Sequence, residues 1–255
     1  MIKNKKLVIF DLDGTLAVSK STIDVEMSLL LVKLLENKDV AVISGGSYKQ
    51  FQKQFLASLK CPQHLAKRLY LFPTCSTSFY KFNGNDWESV YEEKMSEEEK
   101  NKIIEAFKKA LPEAGYIYQE NPFGEIIEDR ITQITFSALG QQAPIELKEK
   151  WDSDNKKRLI IKEILENYIS EFEIRIGGTT SIDVTRKGID KAYGINQIEK
   201  YLKINKDEMI FIGDALFEGG NDYPVKSTGV YCIQVSGPEE CKEVIKNFIQ
   251  ELASF

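Results

Sequence analysis

The sequence predicts an α/β protein with a Rossmann-like parallel sheet, interrupted by an inserted α+β segment. Three observations carry that expectation. Short apolar runs of strand length recur at residues 7–10, 40–43, 69–72, 209–212 and 230–235. Stretches with helical apolar spacing lie between them, and strand–helix–strand alternation at this spacing gives parallel pairing with right-handed crossovers. Past residue 73 the pattern changes to hairpins and charged helices, and after Gly188 the first pattern returns.

Taken in order, Leu7-Val8-Ile9-Phe10 reads as a buried strand, followed by Asp11-Leu12-Asp13-Gly14-Thr15. Ser21-Thr22-Ile23-Asp24 offers an N-cap for a helix over Val25–Leu35. Val40-Ala41-Val42-Ile43 is a second strand, closed by Ser44-Gly45-Gly46-Ser47. Phe51, Phe55, Leu56 and Leu59 belong to a following helix, and Leu69–Phe72 is a third strand, stopped by Pro73. Residues 78–81 and 87–91 form a hairpin that turns at Asn83-Gly84-Asn85-Asp86. Ser96 caps a charged helix over residues 97–110, with an apolar stripe of Ile103, Ile104, Phe107 and Leu111 and a solvated Glu/Lys face. Strand-like runs at residues 125–128 and 132–138, a charged helix over 156–169, and strands at 172–176 and 181–184 complete the insert. The core then resumes with a helix over Lys191–Leu202, two buried strands, and a closing amphipathic helix that starts at Pro238. The expected division is residues 1–85 and 188–255 for the core and residues 86–187 for the insert.

Bulk properties narrow the function. With 255 residues, 42% apolar and 29% charged, the chain can bury a sizeable core and stay soluble. A formal net charge of −5 argues against nucleic acid or an anionic membrane as the main partner. Cys61, Cys75, Cys232 and Cys241 form no C-x-x-C pair and no zinc spacing, which fits reduced thiols in the cytoplasm. The apolar run near the N-terminus ends at Asp11, too soon for a signal peptide or a membrane span. His64 is the sole histidine, so Ser-His-Asp hydrolysis, phosphohistidine chemistry and His-based metal sites are excluded as leading readings. Carboxylates, lysine and a hard metal ion are left to carry any catalysis.

Ligands of an open α/β sheet sit outside the carboxyl ends of its strands. There the first strand presents Asp11 and Asp13, spaced i and i+2 and so on one side of the strand. Two carboxylates that close repel each other and call for a compensating cation. The second strand presents Ser44. The strand ending at Gly213 presents Asp214, then Asn221 and Asp222 after Gly219-Gly220, and Lys191 opens the preceding helix.

Asp11-Leu12-Asp13-Gly14-Thr15, Ser44, Lys191, and Gly213-Asp214 with Asn221-Asp222 resemble the four motifs of the haloacid dehalogenase superfamily. The position and α+β content of the insert resemble its type C2B cap. Several stretches look like eukaryotic-type phosphomannomutases: Gly45-Gly46-Ser47, Gly177-Gly178-Thr179-Thr180-Ser181-Ile182-Asp183-Val184 and Gly188-Ile189-Asp190-Lys191. The resemblance implies a phosphoaspartyl mechanism. Asp11 would be the nucleophile and Asp13 the acid/base. Ser44 and Lys191 would bind phosphoryl oxygens, with Gly14, Thr15, Gly45, Gly46 and Asn221 lining the substrate. Mg²⁺ would be held by the Asp11 carboxylate, the Asp13 carbonyl and Asp214, and Asp222 would hold Lys191 and the metal waters in place. The cap would close over the site and read the sugar.

The cap departs from the mutase pattern. Arg130 falls on a family arginine, and Ser181 and Asp183 match a substrate-contacting Ser-x-Asp, but Phe123 and Gln141 fall where the mutases have arginines. Those arginines clamp a second phosphate, so this clamp looks weakened, with Arg175, Arg186 and Lys187 the cap cations that could replace it. The leading expectation is therefore a Mg²⁺-dependent phosphatase acting on a small phosphorylated metabolite, a sugar phosphate. A phosphomannomutase-like phosphohexomutase is the alternative. A receiver-like phospho-acceptor ranks third, because receivers lack the second aspartate that Asp13 supplies. The mixed apolar and charged faces of the cap leave a homodimer through it open.

Overall fold

The computed structural model describes residues 2–19 and 21–254. It divides into two compact units, residues 1–92 with 190–255, and residues 93–189. The first unit contributes β1 (Leu7–Asp11), β2 (Asp39–Ile43), β3 (Leu69–Phe72), β4 (Ser78–Phe82) and β5 (Trp87–Glu92). The second holds β6 (Ile127–Asp129), β7 (Ile134–Ser137), β8 (Phe172–Gly177) and β9 (Ser181–Arg186), and the chain returns to the first with β10 (Met209–Gly213) and β11 (Tyr231–Gln234). The helices are α1 (Val25–Leu35), α2 (Tyr48–Phe51), α3 (Gln63–Ala66), α4 (Glu97–Glu113), α5 (Ile145–Trp151), α6 (Lys156–Tyr168), α7 (Lys191–Leu202) and α8 (Pro238–Ala253).

The first unit is a seven-stranded sheet in the order β11-β10-β1-β2-β3-β4-β5. Its strands run parallel from β11 to β3, and β4 and β5 add an antiparallel hairpin at one edge. Every residue of β1 is buried because both faces of the sheet are covered. Val8 and Phe10 share a core with Val40, Val42, Ile210 and Ile212 beneath α1 and α8. Leu7 and Ile9 point the other way, into a core with Ala41, Ile43, Phe211 and the α7 residues Ile195 and Ile198. The register sets Asp11 beside Ile43 and Phe10 beside Ile212, so Ser44 and Asp214 leave their strands at the same sheet edge as Asp11.

The second unit is a four-stranded antiparallel sheet in the order β6-β7-β9-β8. One face carries Ile134, Phe136, Ile174, Ile182 and Val184, packed against Ile103, Phe107, Ile161 and Leu165 of α4 and α6. Strand alternation gives the other face to Glu128, Thr135, Ser137, Arg175, Ser181 and Asp183.

Several expectations need correction. β5 pairs along β4 within the core sheet, so the first boundary falls between Glu92 and Glu93, not after residue 85. The second falls between Ile189 and Asp190, two residues beyond the expected one. The helix expected after β2 is a single α-turn that continues π-wound over Gln52–Leu56, with Phe51 and Phe55 both buried. The strand expected at 125–128 is three residues, Ile127–Asp129. Neither α3 nor α5 was expected, since each is short and starts from a proline, Pro62 or Pro144, without an apolar repeat long enough to read. Among the described residues no helix is long and apolar enough to cross a membrane.

Candidate active site

The carboxyl edge of the core sheet gathers the charged residues that the sequence singled out. Asp11 ends β1 at 2% exposure. Lys191, the first residue of α7, places its Nζ 2.6 Å from Asp11 Oδ1 and also pairs with Asp222. Asp190 caps this helix by accepting from the Tyr193 N–H at 2.8 Å, which fixes where the lysine starts. Asp222 is fully buried, and its second oxygen accepts from the Ala215 N–H at 3.0 Å. The Thr15 hydroxyl donates to Asp214 Oδ1 at 3.2 Å. Ser44 Oγ accepts from the Gly46 N–H at 3.0 Å and stands 3.5 Å from Asp13 Oδ2. Asn221 is half-buried on the loop that carries Asp222.

Two glycines make this crowding feasible. Gly14 has φ +86°, and a Cβ there would come within 2.6 Å of Asp214 Oδ2. A Cβ on Gly213 would collide with the Asp222 carboxylate. The Ser44 loop is braced from β3. The Thr74 and Cys75 N–H groups donate to the carbonyls of Gly46 and Ser44, both at 2.9 Å. Thr74, Cys75 and Ser76 hold φ values of 50°, 53° and 68°, three left-handed non-glycine residues in a row. Such residues cost on the order of 1–2 kcal/mol each and persist only where the surroundings impose them.

The electrostatics are those of a site short of positive charge. Burial pushes the Asp11 carboxyl well above its ordinary range; Lys191 opposes this, and Asp222 and Asp214 add to it. Burial and then Asp222 push Asp214 up as well. Burial works against the Lys191 ammonium, but Asp11 and Asp222 outweigh it and hold the group charged. Among the described residues, one group of side chains could hold a metal: carboxylate oxygens of Asp11, Asp214 and Asp222 lie within 4.8 Å of one another. Since Asp222 is engaged by Lys191 and the Ala215 N–H, Asp11 and Asp214 are the carboxylates left for an ion. The Asp13 carboxylate stands outside the cluster. Hard oxygen donors with few carboxylates suit Mg²⁺, and a divalent cation would relieve the charge that burial and repulsion disfavour.

The expected cap residues lie in the second unit. Arg130 is buried just past β6, and its Nε donates to Glu128 Oε2 at 2.8 Å. Asp183 accepts from the Thr135 hydroxyl at 2.7 Å, and Gln133 donates to that hydroxyl at 2.8 Å. The Ser181 hydroxyl lies 3.5 Å from that of Ser137. Arg175 pairs with Glu173 at 3.1 Å, and Arg186 with Glu99 at 2.8 Å. The amide atoms of Gln141 are buried with no hydrogen-bond partner, while Phe123 is exposed.

Sequence reasoning missed one buried pair in this unit. Arg158 donates to Asp152 Oδ2 at 2.7 Å and to the carbonyls of Gly178 at 2.7 Å and Gly177 at 3.2 Å. It thereby anchors the turn that leads into Ser181 and Asp183. An Asp and an Arg six residues apart at a helix start carry no signal that separates them from surface charges.

The model of the eukaryotic phosphomannomutase family matches residues 27–251. The probable phosphomannomutase of Caenorhabditis elegans is 26% identical across 98% of this chain and 97% of its own length. The phosphomannomutase of Saccharomyces cerevisiae is 29% identical across 88% of this chain and 85% of its own. Among solved structures, an N-terminally truncated Plasmodium falciparum IMP-nucleotidase superposes with a TM-score of 0.72 at 23% identity, covering 97% of this chain and 71% of that one. A haloacid dehalogenase-like hydrolase from Bacteroides thetaiotaomicron gives 0.62 at 14% identity, covering 95% of this chain and 99% of that one. At these identities the two structures show a shared fold.

Proposed function

We propose that this chain, which belongs to the eukaryotic phosphomannomutase family, transfers a phosphoryl group through Asp11 as a phosphohexomutase acting on a small sugar phosphate. The observation that carries the chemistry is the buried Asp11–Lys191–Asp222 array with Asp214 beside it. Asp11 attacks phosphorus, and Lys191 and Ser44 stabilise charge on the phosphoryl oxygens as it shifts. Asp13 moves the proton of the leaving or entering oxygen, with Ser44 Oγ 3.5 Å from its carboxylate. Asp222 keeps Lys191 aimed at Asp11. Asp11, Asp214 and the Asp13 carbonyl would hold Mg²⁺, which supplies Lewis-acid stabilisation of the phosphoryl oxygens when bound.

The departures of the cap from the mutase pattern put a phosphatase first. The family match and the named relatives favour the mutase, so the order is reversed. The phosphatase remains as a second reading on one specific ground. A mutase must hold a second phosphate, and in the second unit Arg130 and Arg175 are each engaged by a carboxylate, with Gln141 and Phe123 in place of arginines. Incubation with mannose 1-phosphate, Mg²⁺ and a hexose bisphosphate separates the two. The mutase yields hexose 6-phosphate with little free phosphate. Stoichiometric free phosphate without isomerised sugar supports the phosphatase, and neither product would overturn phosphoryl transfer to and from these sugars altogether.

A further inference from the structure

The core unit carries a concave site at the end of its sheet opposite the Asp11 cluster, where β1, β2 and β3 begin. A cavity of about 540 Å³ opens there, lined by Lys3, Lys5, Lys6, Lys38, Arg68 and Lys203. Asp39 is the one carboxylate in the lining, and Glu208 reaches Lys6 at 2.6 Å from outside. On a chain of net charge −5 this is a concentrated reversal of sign.

Much of this charge is in contact with neutral groups. Lys38 is 7% exposed and donates to the Lys3 carbonyl at 3.0 Å and to the Lys5 carbonyl. Arg68 donates to the carbonyls of Leu35 and Glu36 at 2.9 and 3.0 Å, at the C-terminal end of α1, as well as to Asp39 at 2.8 Å. These contacts suit the negative end of a helix dipole. Carbonyls orient cations but carry no net charge, so they hold Lys38 in place without cancelling it, while Asp39 and Glu208 offset Arg68 and Lys6 and leave the cavity a net excess of positive charge. Burial and then the charge of Arg68 depress the Lys38 ammonium. Glu251 offsets this in part. Leu202, Ile204 and the Tyr70 ring add an apolar wall. The volume is in the range that takes a nucleotide-sized ligand.

We propose that this cavity binds a polyphosphate-bearing anion of nucleoside di- or triphosphate size, at a site separate from the Asp11 cluster. The test is binding of ATP and of tripolyphosphate to the full chain without Mg²⁺ at low salt, read by calorimetry, for the parent and for Lys3→Glu/Lys203→Glu. Both substituted residues are exposed, so the variant is expected to keep the parent melting temperature. The expected result is one site in the parent that weakens at least about tenfold in the variant, and likewise as salt is raised. Tripolyphosphate binding as well as ATP would assign recognition to the phosphates alone, while ATP binding alone would assign part of it to the base against the apolar wall; both support the site. Absence of binding by both probes, or binding unchanged in the variant, overturns it.

Discussion

Lys191 Nζ lies 2.6 Å from Asp11 Oδ1, with the lysine at 2% exposure and the same ammonium paired to Asp222. One buried cation thus serves two buried carboxylates, and Asp214 adds a third nearby. Charge in this cluster is unbalanced by design of the sequence, and each of its members has a distinct consequence when removed.

Lys191→Met leaves Asp11 and Asp222 facing each other without a counter-ion. Loss of one partner of a buried pair costs about 3–5 kcal/mol, and loss of a phosphoryl-binding cation costs on the order of 10²–10³ in turnover. Lys191→Arg is not expected to restore activity, since a planar fork does not replace a compact ammonium in a space this confined. Urea unfolding and hydrolysis of p-nitrophenyl phosphate measure the two effects. A Lys191→Met protein with parent stability and turnover would remove this lysine from the site.

Asp11 and Asp13 should fail differently. Asp11→Asn removes the atom that bonds phosphorus, so neither turnover nor a phosphorylated protein is expected by intact mass after an acid quench. Asp13→Asn keeps the nucleophile and loses the proton carrier, which lowers turnover by about 10²–10⁴. Parent-like rates in Asp13→Asn would show that some other group moves the proton.

Asp214 is pushed up by burial and by Asp222, so its charge opposes folding when no cation is bound. Asp214→Asn should therefore raise the melting temperature measured in chelator. Added Mg²⁺ should raise that of the parent, by a linkage contribution of about 2.7 kcal/mol at a hundredfold excess over the dissociation constant. The variant should show little Mg²⁺ response. A variant stabilised by Mg²⁺ as strongly as the parent would place the ion elsewhere.

The legible parts of the fold are those that repeat a period or end an apolar run. Leu7–Asp11 announces itself because a strand buried on both faces has no polar residue until the site begins. Asp214 is legible for the same reason, standing just past β10, whereas Lys191, the first residue of α7, and Asp222, on the loop beyond β10, stand out only through their resemblance to family motifs. The Thr74–Ser76 turn was not legible, because left-handed backbone is signalled by Gly or Asn and this turn has neither. The burial of Arg130 and the buried Asp152–Arg158 pair depend on tertiary contacts, and their charges read locally as solvated. The pairing of Arg130 and Arg175 with Glu128 and Glu173 is likewise a matter of which strand face each residue takes.

Glu99 gives the second unit a pH dependence of its own. The hydrogen bond from Arg186, followed by that from the Ser96 N–H, lowers its carboxyl to about 2. A carboxyl depressed on folding lends stability above its unfolded value of about 4.3 and loses it as pH falls through the folded value. The window is therefore about pH 4.5 down to 2. The pair is part-exposed, so the effect is small and weakened by salt. Glu99→Gln should flatten the fall of melting temperature in that window and leave values at neutral pH slightly lower. An unchanged acid limb would show that the pair contributes nothing.

The Asp152–Arg158 pair separates the energy of a buried charge from that of a loop anchor. The Asp152 side chain is wholly buried, and besides Arg158 it accepts from the Lys157 N–H at 2.9 Å at the start of α6. Arg158→Met strands that carboxylate, at a cost of about 3–5 kcal/mol. Asp152→Asn/Arg158→Met removes the stranded charge yet keeps a cap for α6, so stability should return in large part. Recovery stays incomplete because the Gly177 and Gly178 carbonyls have lost their donor; both lie on a part-exposed turn where water can take its place, so the residual is about 1 kcal/mol. That residual should localise: hydrogen exchange in the double variant should quicken at residues 177–183 and stay at the parent rate in α4. Full recovery of stability with parent exchange rates at residues 177–183 would mean that Arg158 serves only its ion pair and does not hold the turn.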